Sequence, residues 1–394
     1  MWWTVGPRNA WSNTPHDLGI TKVCSGFPDP PGDFPCSSPV DRNTRYGMDE
    51  IGYYETSGFN LRNLPSWPGS ILRYFKADIA GLTSPWLYLG TQYATFAWHV
   101  EDSAMYSVNF HHSGASKQWY GVPGSSAADL EKCLAKNLGA TSEPFSDHLY
   151  SITKMLSPSY LMQDGVPVCR VLQNAGHFVV TFPNAYHGGF SYGFNCGEAV
   201  NFAVPRWFPE SRDSVNKYRL ASRVPAVSHD KMVTAAMINY EDFDQQDRKL
   251  VLEAMVSVVF EDQIRCIRLK RKGVRQAPTA INNELKRFRL DRIQQDSEDY
   301  DVLRLCKTCR QPLFMTGVAC ACPNSVDVSC LHCVEKLCDM CPMSGKVFLS
   351  WTKKQCRRIP ILHALSQECA EFLNGPEGQE AIANFRENHG ETEP

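Results

Sequence analysis

The stretch Thr91-Gln92-Tyr93-Ala94-Thr95-Phe96-Ala97-Trp98-His99-Val100-Glu101 decides the reading of the fold. Aromatic and β-branched residues dominate it as far as Val100, which suits a pleated, half-buried surface. Runs of the same kind follow at Met105–Phe110, Lys117–Val122, Val168–Gln173, His177–Phe182 and Glu198–Val204, with turn signals between them. Short strands recurring in this way predict an all-β core, a barrel or a sandwich. One helix is predicted to interrupt it at Ala127–Leu138, with Ser125 or Ser126 as N-cap, Leu130, Leu134 and Leu138 on one stripe, and Gly139 just past the end. The remaining connections read as loops, and Gly188-Gly189 reads as a turn.

The rest of the chain differs in character. Residues 24–50 carry Pro28, Pro30, Pro31, Pro35 and Pro39 among Ser, Asp and Gly. Proline cannot donate to a sheet ladder, so a long surface loop is expected there. After Trp207 the pattern turns helical, and residues 240–295 mix acidic and basic stretches with Phe243, Leu250, Val258, Ile264 and Ile267. The expected divisions are therefore 1–50 (an N-terminal segment with the Pro-rich loop), 51–207 (the β domain), 208–300 (a helical region), 301–350 (a cysteine-rich module) and 351–394 (a helix and a polar tail). A chain of 394 residues suffices for about two to three domains. A net charge of −2 excludes a surface built throughout to coat nucleic acid or an anionic membrane. There is no uninterrupted apolar run of roughly 18 residues, and residues 1–8 lack the apolar core of a secretory signal, so a soluble intracellular chain without membrane association is expected.

His99 and Glu101 are separated by one residue, so on an extended strand they project to the same face, into the interior of a barrel. A nonhaem iron oxygenase needs two histidines and one carboxylate on one side of the metal, leaving the other positions for cosubstrate and dioxygen. His187, after the apolar run Phe178-Val179-Val180-Thr181-Phe182-Pro183, is the candidate third ligand. The spacing alone is weak, since His389-Gly390-Glu391 in the polar tail repeats it, and an exposed pair is the competing reading. Lys117 stands in Ala115-Ser116-Lys117-Gln118-Trp119-Tyr120-Gly121-Val122, where a buried ammonium would need an anion such as the distal carboxylate of a keto diacid. A surface lysine on an edge strand is the alternative.

Eight of the sixteen cysteines lie in four close pairs, Cys306 and Cys309, Cys320 and Cys322, Cys330 and Cys333, Cys338 and Cys341. Eight thiolates suffice for two closed tetrahedral Zn(II) sites. His332 beside Cys333 leaves open whether one site is all-thiolate. So short a segment has too little core to fold alone, so the metal is expected to supply its folding energy. The basic cluster Arg265, Arg268, Lys270, Arg271, Lys272 and Arg275 reads as a solvated face, or as a nuclear localisation signal or weak phosphate contact to DNA. His148, His229 and His363 read as surface or structural residues, and Ile361–Phe372 as a packing helix.

Several ordered motifs resemble the JmjC domain: Trp86-Leu87-Tyr88-Leu89-Gly90, Trp98-His99-Val100-Glu101-Asp102, Tyr106-Ser107-Val108-Asn109, Lys117-Gln118-Trp119-Tyr120-Gly121-Val122-Pro123, Thr181-Phe182-Pro183-Asn184-Ala185-Tyr186-His187 and Asn195-Cys196-Gly197-Glu198-Ala199-Val200-Asn201-Phe202. Within that family the chain is most similar to JARID-type and related plant demethylases, which carry a C5HC2-type zinc finger after the catalytic domain. The resemblance implies a double-stranded β-helix, a cupin-like jelly roll, followed by a helical region with a zinc finger. It implies Fe(II) at His99, Glu101 and His187, and 2-oxoglutarate held by Lys117, Ser107 and Asn109, with Asn201 near the keto-acid end and Phe96 and Trp119 as walls. It places Tyr88 in a methyl-lysine pocket and makes Ala199 a small residue where bulk would limit the number of methyl groups. The implied chemistry consumes dioxygen and 2-oxoglutarate, hydroxylates an N-methyl group and releases formaldehyde.

For this group the implied substrate is methylated lysine 4 of histone H3, on the H3 tail or nucleosome, with a monomeric enzyme in the nucleus. A protein hydroxylase acting on a non-histone side chain and a catalytically silent chromatin scaffold are the alternatives. Four departures bear on this. No JmjN segment precedes the domain, so the chain reads as a fragment or a shortened form. Thr14-Pro15-His16-Asp17 stands where relatives carry a tyrosine motif near the cosubstrate, Ser191 stands in place of asparagine, and His177 in place of glutamate.

Overall fold

In the computed structural model the described residues are 2–5, 55–75, 78–138, 155–276, 305–320, 322, 327–350 and 375–376. The Pro-rich loop, Thr14-Pro15-His16-Asp17, His148, the helix expected at Ile361–Phe372, His363 and His389-Gly390-Glu391 lie outside them. The chain divides into two compact units, Met1–Lys217 and Tyr218–Pro394. Among the described residues no helix is long and apolar enough to cross a membrane.

Among the described residues the first unit contains nine strands: β1 (Trp2–Val5), β2 (Trp86–Gly90), β3 (Thr95–His99), β4 (Tyr106–Gly114), β5 (Lys117–Val122), β6 (Cys169–Gln173), β7 (Phe178–Thr181), β8 (Tyr186–Ser191) and β9 (Asn195–Phe202). They form two antiparallel sheets, ordered β1-β7-β4-β9-β2 and β3-β8-β5-β6. This is the cupin-like arrangement. Strand alternation sorts side chains between its inside and outside. On β4, Val108 and Phe110 join Leu61, Phe178, Val180, Val200 and Phe202 in an outer apolar layer, while Ser107 and Asn109 face the other sheet. The interior is partly polar, and Trp119, Val171 and Val179, with Phe96 and Cys169, form an apolar block there.

The strand expected over Thr91–Val100 begins only at Thr95, because a turn at Thr91–Ala94 with Tyr93 at φ 59° separates it from β2. The turn expected at Gly188-Gly189 is instead the middle of β8. Its neighbours come too close for side chains: a Cβ on Gly188 would lie 3.2 Å from the β3 backbone, and one on Gly189 would lie 2.0 Å from the Gln118 carbonyl oxygen. These glycines are spacers that let a strand fit between β3 and β5.

Helix α1 (Ala127–Leu138) packs Leu130, Cys133 and Leu134 against Trp98, Val122 and Tyr186 on the outside of the smaller sheet. Full burial of each such leucine is worth about 1.5–3 kcal/mol. The expected serine cap is absent: the chain enters through a 3-10 turn at Gly124–Ser126, and Pro123 holds the cap position without a side-chain bond. A second short helix, α2 (Pro158–Gln163), stands where only loop was expected and adds Leu161 to this layer. Helix α3 (Phe208–Leu220) follows β9.

The second unit holds α4 (His229–Ile238), α5 (Gln245–Arg271) and a sheet ordered β10-β13-β11-β12, from β10 (Arg275–Gln276), β11 (Thr316–Cys320), β12 (Val328–Ser329) and β13 (Lys346–Ser350). Ser228 and Asp244 cap α4 and α5 by accepting from Lys231 N and Asp247 N. His229, first residue of α4, is buried. The cysteine-rich module shares its core with the helix that precedes it. Leu269 at the end of α5 and Val274 join Val318, Val334, Leu337 and Phe348 in one apolar cluster. The basic cluster is not one solvated face. Arg265 is buried, Lys272 Nζ donates to Glu335 Oε1 at 2.7 Å, and Arg275 Nε donates to the Ser344 carbonyl at 2.8 Å.

Candidate metal centre and cosubstrate pocket

His99 ends β3 and His187 is the second residue of β8, directly opposite in the ladder. Each imidazole is turned by its own chain: Nδ1 of His99 donates to the Ala97 carbonyl at 2.8 Å and Nδ1 of His187 to the Ala185 carbonyl at 3.0 Å. A carbonyl only accepts, so both Nδ1 atoms carry the proton and both Nε2 lone pairs are free to ligate. Glu101 lies one residue beyond the end of its expected strand, yet the backbone there stays extended, so its carboxylate still reaches the same side. Its Oε1 is 3.2 Å from His187 Nε2. One ligand atom from each of His99, Glu101 and His187 lies within 4.8 Å of the others, a spacing that one metal ion would span.

The charges suit a divalent cation. Burial works against ionisation of Glu101, but the close approach of His187 and His99 and the Asn201 amide outweigh it and hold the carboxyl well below its ordinary range. His99 is depressed by burial and by His187, which keeps it neutral. Asn201, expected near the keto-acid end, gives its amide hydrogens to Glu101 Oε2 at 2.9 Å and to the Tyr106 carbonyl at 3.1 Å. It orients an acidic ligand. Tyr88, half-exposed on β2, is raised by burial and then by the Glu101 charge. Ala199 sits beside Trp86 and Asn109 in the sheet register.

Lys117 is buried, so the surface reading fails. Burial depresses its ammonium, and among the described residues no carboxylate pairs with it. Phe96 and Trp119 stand edge to face at 4.7 Å between Lys117 and the imidazoles, with Lys117 Nζ 5.9 Å from the Phe96 ring centre and Trp119 6.0 Å from His187. A buried cation without an anion, two aromatic walls and three converging ligands fit an iron ion with a chelating keto diacid.

Two interior residues escaped the sequence reading. Gln173, fully buried on β6, accepts from Trp119 Nε1 at 2.8 Å and donates to Asn109 Oδ1 at 3.1 Å, tying the two sheets together. Thr181 Oγ1 lies 2.6 Å from Ser107 Oγ. The only sequence signal was a polar residue at a position whose alternation points inward. Ser191 is buried opposite Lys117, and the buried His177 accepts from Asn174 N through Nδ1.

In the second unit the thiols of Cys306, Cys309, Cys330 and Cys333 converge, as do those of Cys320, Cys322, Cys338 and Cys341. The four pairs interleave, the first and third in one cluster and the second and fourth in the other. His332 is exposed and lies outside both groups. The thiols of the first cluster lie close enough to perturb one another, drawing Cys306 down and pushing Cys330 and Cys333 up.

Residues 86–202, which hold the jelly roll with its two facing imidazoles and carboxylate, match the family model described as JmjC domain, hydroxylase. Residues 306–355 match the C5HC2 zinc finger. The chain is a JmjC-domain protein with a C5HC2 zinc finger. It is 34% identical to lysine-specific demethylase 5B of Gallus gallus over 90% of this chain and 22% of that protein. It is 37% identical to putative lysine-specific demethylase JMJ16 of Arabidopsis thaliana, over 84% of this chain and 27% of that protein. With lysine-specific demethylase JMJ703 of Oryza sativa subsp. japonica it shares 35% over 80% of this chain and 25% of that protein. The chain spans about a quarter of the length of these relatives.

Proposed function

We propose that this chain is an Fe(II)- and 2-oxoglutarate-dependent lysine demethylase acting in the nucleus on methylated lysine 4 of histone H3. The observation that carries the reading is the convergence of His99, Glu101 and His187 beside the buried, anion-free Lys117. The names of the three relatives support demethylation of lysine.

Iron with 2-oxoglutarate and dioxygen supplies the oxidising power to hydroxylate an N-methyl group, whose carbinolamine product then breaks down to formaldehyde and the shortened amine. The chain does the rest. The Ala97 and Ala185 carbonyls fix both imidazoles with Nε2 toward the metal, and Asn201 fixes Glu101. Lys117 neutralises the distal carboxylate, and Ser107 and Asn109 line the same interior. Phe96 and Trp119 exclude water. Tyr88 offers an aromatic face and an oxygen to the methylated ammonium, and the small Ala199 leaves room for several methyl groups. The two thiolate clusters each hold one Zn(II) and keep the finger on the end of α5. Lys270 and Arg271, the exposed members of the basic cluster besides Arg275, would give a weak contact to nucleosomal DNA. The chain acts as a monomer in this reading.

Protein loaded with Fe(II) and 2-oxoglutarate should release formaldehyde from H3 peptides methylated at lysine 4, with loss of methyl mass from the peptide. No turnover on any methylated H3 peptide would sink the proposal. A stable gain of one oxygen on another protein would move the chain to the hydroxylases.

A further inference from the structure

Strand β4 turns Ser107, Asn109 and His111 toward the interior in succession. The first two are satisfied, by Thr181 and by Gln173. His111 is not. It has no exposed surface, and neither Nδ1 nor Nε2 has a hydrogen-bond partner. A neutral imidazole carries one donor and one acceptor, and buried groups of that kind are ordinarily paired, so this ring lacks a ligand.

Its surroundings say which kind. Burial and then the Lys117 ammonium depress His111 to about 4, so the two groups share one region and the ring is neutral at physiological pH. The Gly114 and Ala115 backbone oppose that shift without completing a bond, and His177 adds to it. Lys117 makes no hydrogen bond or ion pair among the described residues, and only the Cys196 thiol raises it. Gly197 on β9 stands opposite His111 in the register. A Cβ there would lie 3.7 Å from Lys117 Nζ and 3.6 Å from Asn109 Oδ1, so the missing side chain keeps a small space open at the ammonium.

We propose that His111 is a cosubstrate-binding residue, giving its ring N–H to the same distal carboxylate of a 2-oxo diacid that Lys117 neutralises. This rests on the 2-oxoglutarate reading and extends it to a residue outside the Ser107, Asn109 and Lys117 set. It also gives the chain a second carboxylate contact of its own.

The test is calorimetric binding to the full chain, zinc-replete and loaded with Mn(II), using 2-oxoglutarate and pyruvate, a 2-oxo acid without a distal carboxylate. His111→Leu should weaken 2-oxoglutarate about tenfold or more while leaving pyruvate unchanged. His111→Gln, which keeps an N–H donor, should recover most of the loss. Melting temperatures of both variants establish that they fold. Unchanged 2-oxoglutarate binding in His111→Leu, or an equal loss for both acids, overturns the assignment of His111 while the cosubstrate reading stands. A wild-type chain that binds 2-oxoglutarate no better than pyruvate overturns the cosubstrate reading itself.

Discussion

His99 and His187 face each other across the β3–β8 ladder with ring centres 4.2 Å apart. Residues nearly ninety positions apart in sequence are thus cross-strand neighbours, and the third ligand is two residues from one of them. The metal centre depends on the pairing of two strands more than on any loop.

Asn201 holds the remaining ligand in place. Asn201→Ala should lower iron affinity about 10- to 100-fold, the usual cost of losing a group that orients a metal ligand. Titration with Fe(II) under anaerobic conditions reads this directly, and an unchanged affinity would show that Glu101 needs no such support.

The motif legible in sequence was the pair His99 and Glu101, with Lys117–Val122 and Ala127–Leu138 emerging as the strand and helix that their periodicity predicts. What could not be read depended on neighbours distant in sequence. Gly188-Gly189 looks like a turn because glycine is permissive. Only the proximity of Phe96 and Gln118 reveals that those positions need emptiness more than flexibility. Asn201 and Gln173 are ordinary polar residues until Glu101 and Trp119 are placed against them. The serine cap failed because Pro123 already directs the chain into a 3-10 turn.

Gly189→Ala puts a methyl group 2.0 Å from a backbone oxygen and 2.8 Å from Phe96 Cζ. Overpacking ordinarily costs about 1–3 kcal/mol, and here the obstacle is a fixed main chain, so about 3 kcal/mol or more is expected. Thermal or urea unfolding would measure it. A loss under about 0.5 kcal/mol, the ordinary range of a surface change, would contradict the spacer role.

Cys333→Ser should reduce bound zinc from about two ions per chain to about one or fewer, whereas His332→Ala should leave both. Because the pairs interleave, the loop between any two successive pairs is anchored by both clusters, so loss of one ion should also loosen the other. Metal analysis after dialysis against a mild chelator distinguishes this from independent sites.

Asp262 on α5 is half-buried, and its Oδ2 accepts from Thr316 Oγ1 at 2.9 Å. Burial pushes its carboxyl up to about 7, with Asp230 adding to the rise and the Thr316 bond opposing it. A value raised on folding means that this group's stabilising contribution is complete below the ordinary 3.8 and is lost as pH rises through about 7. Asp262→Asn should remove a decline of up to about 4 kcal/mol over that window. Melting curves of zinc-saturated protein from pH 5 to pH 8 should therefore fall less steeply for the variant. Parallel curves would show that Asp262 does not titrate in this range.

The spacer glycines of β8 have a further effect. β8 lies inside its sheet with a strand on each side, so the amide that carries His187 is held from both directions. Its backbone hydrogens should be among the slowest of the first unit to exchange with solvent deuterium. An imidazole mounted there opens only when the sheet itself opens, so the centre keeps its geometry while less protected parts of the unit fluctuate.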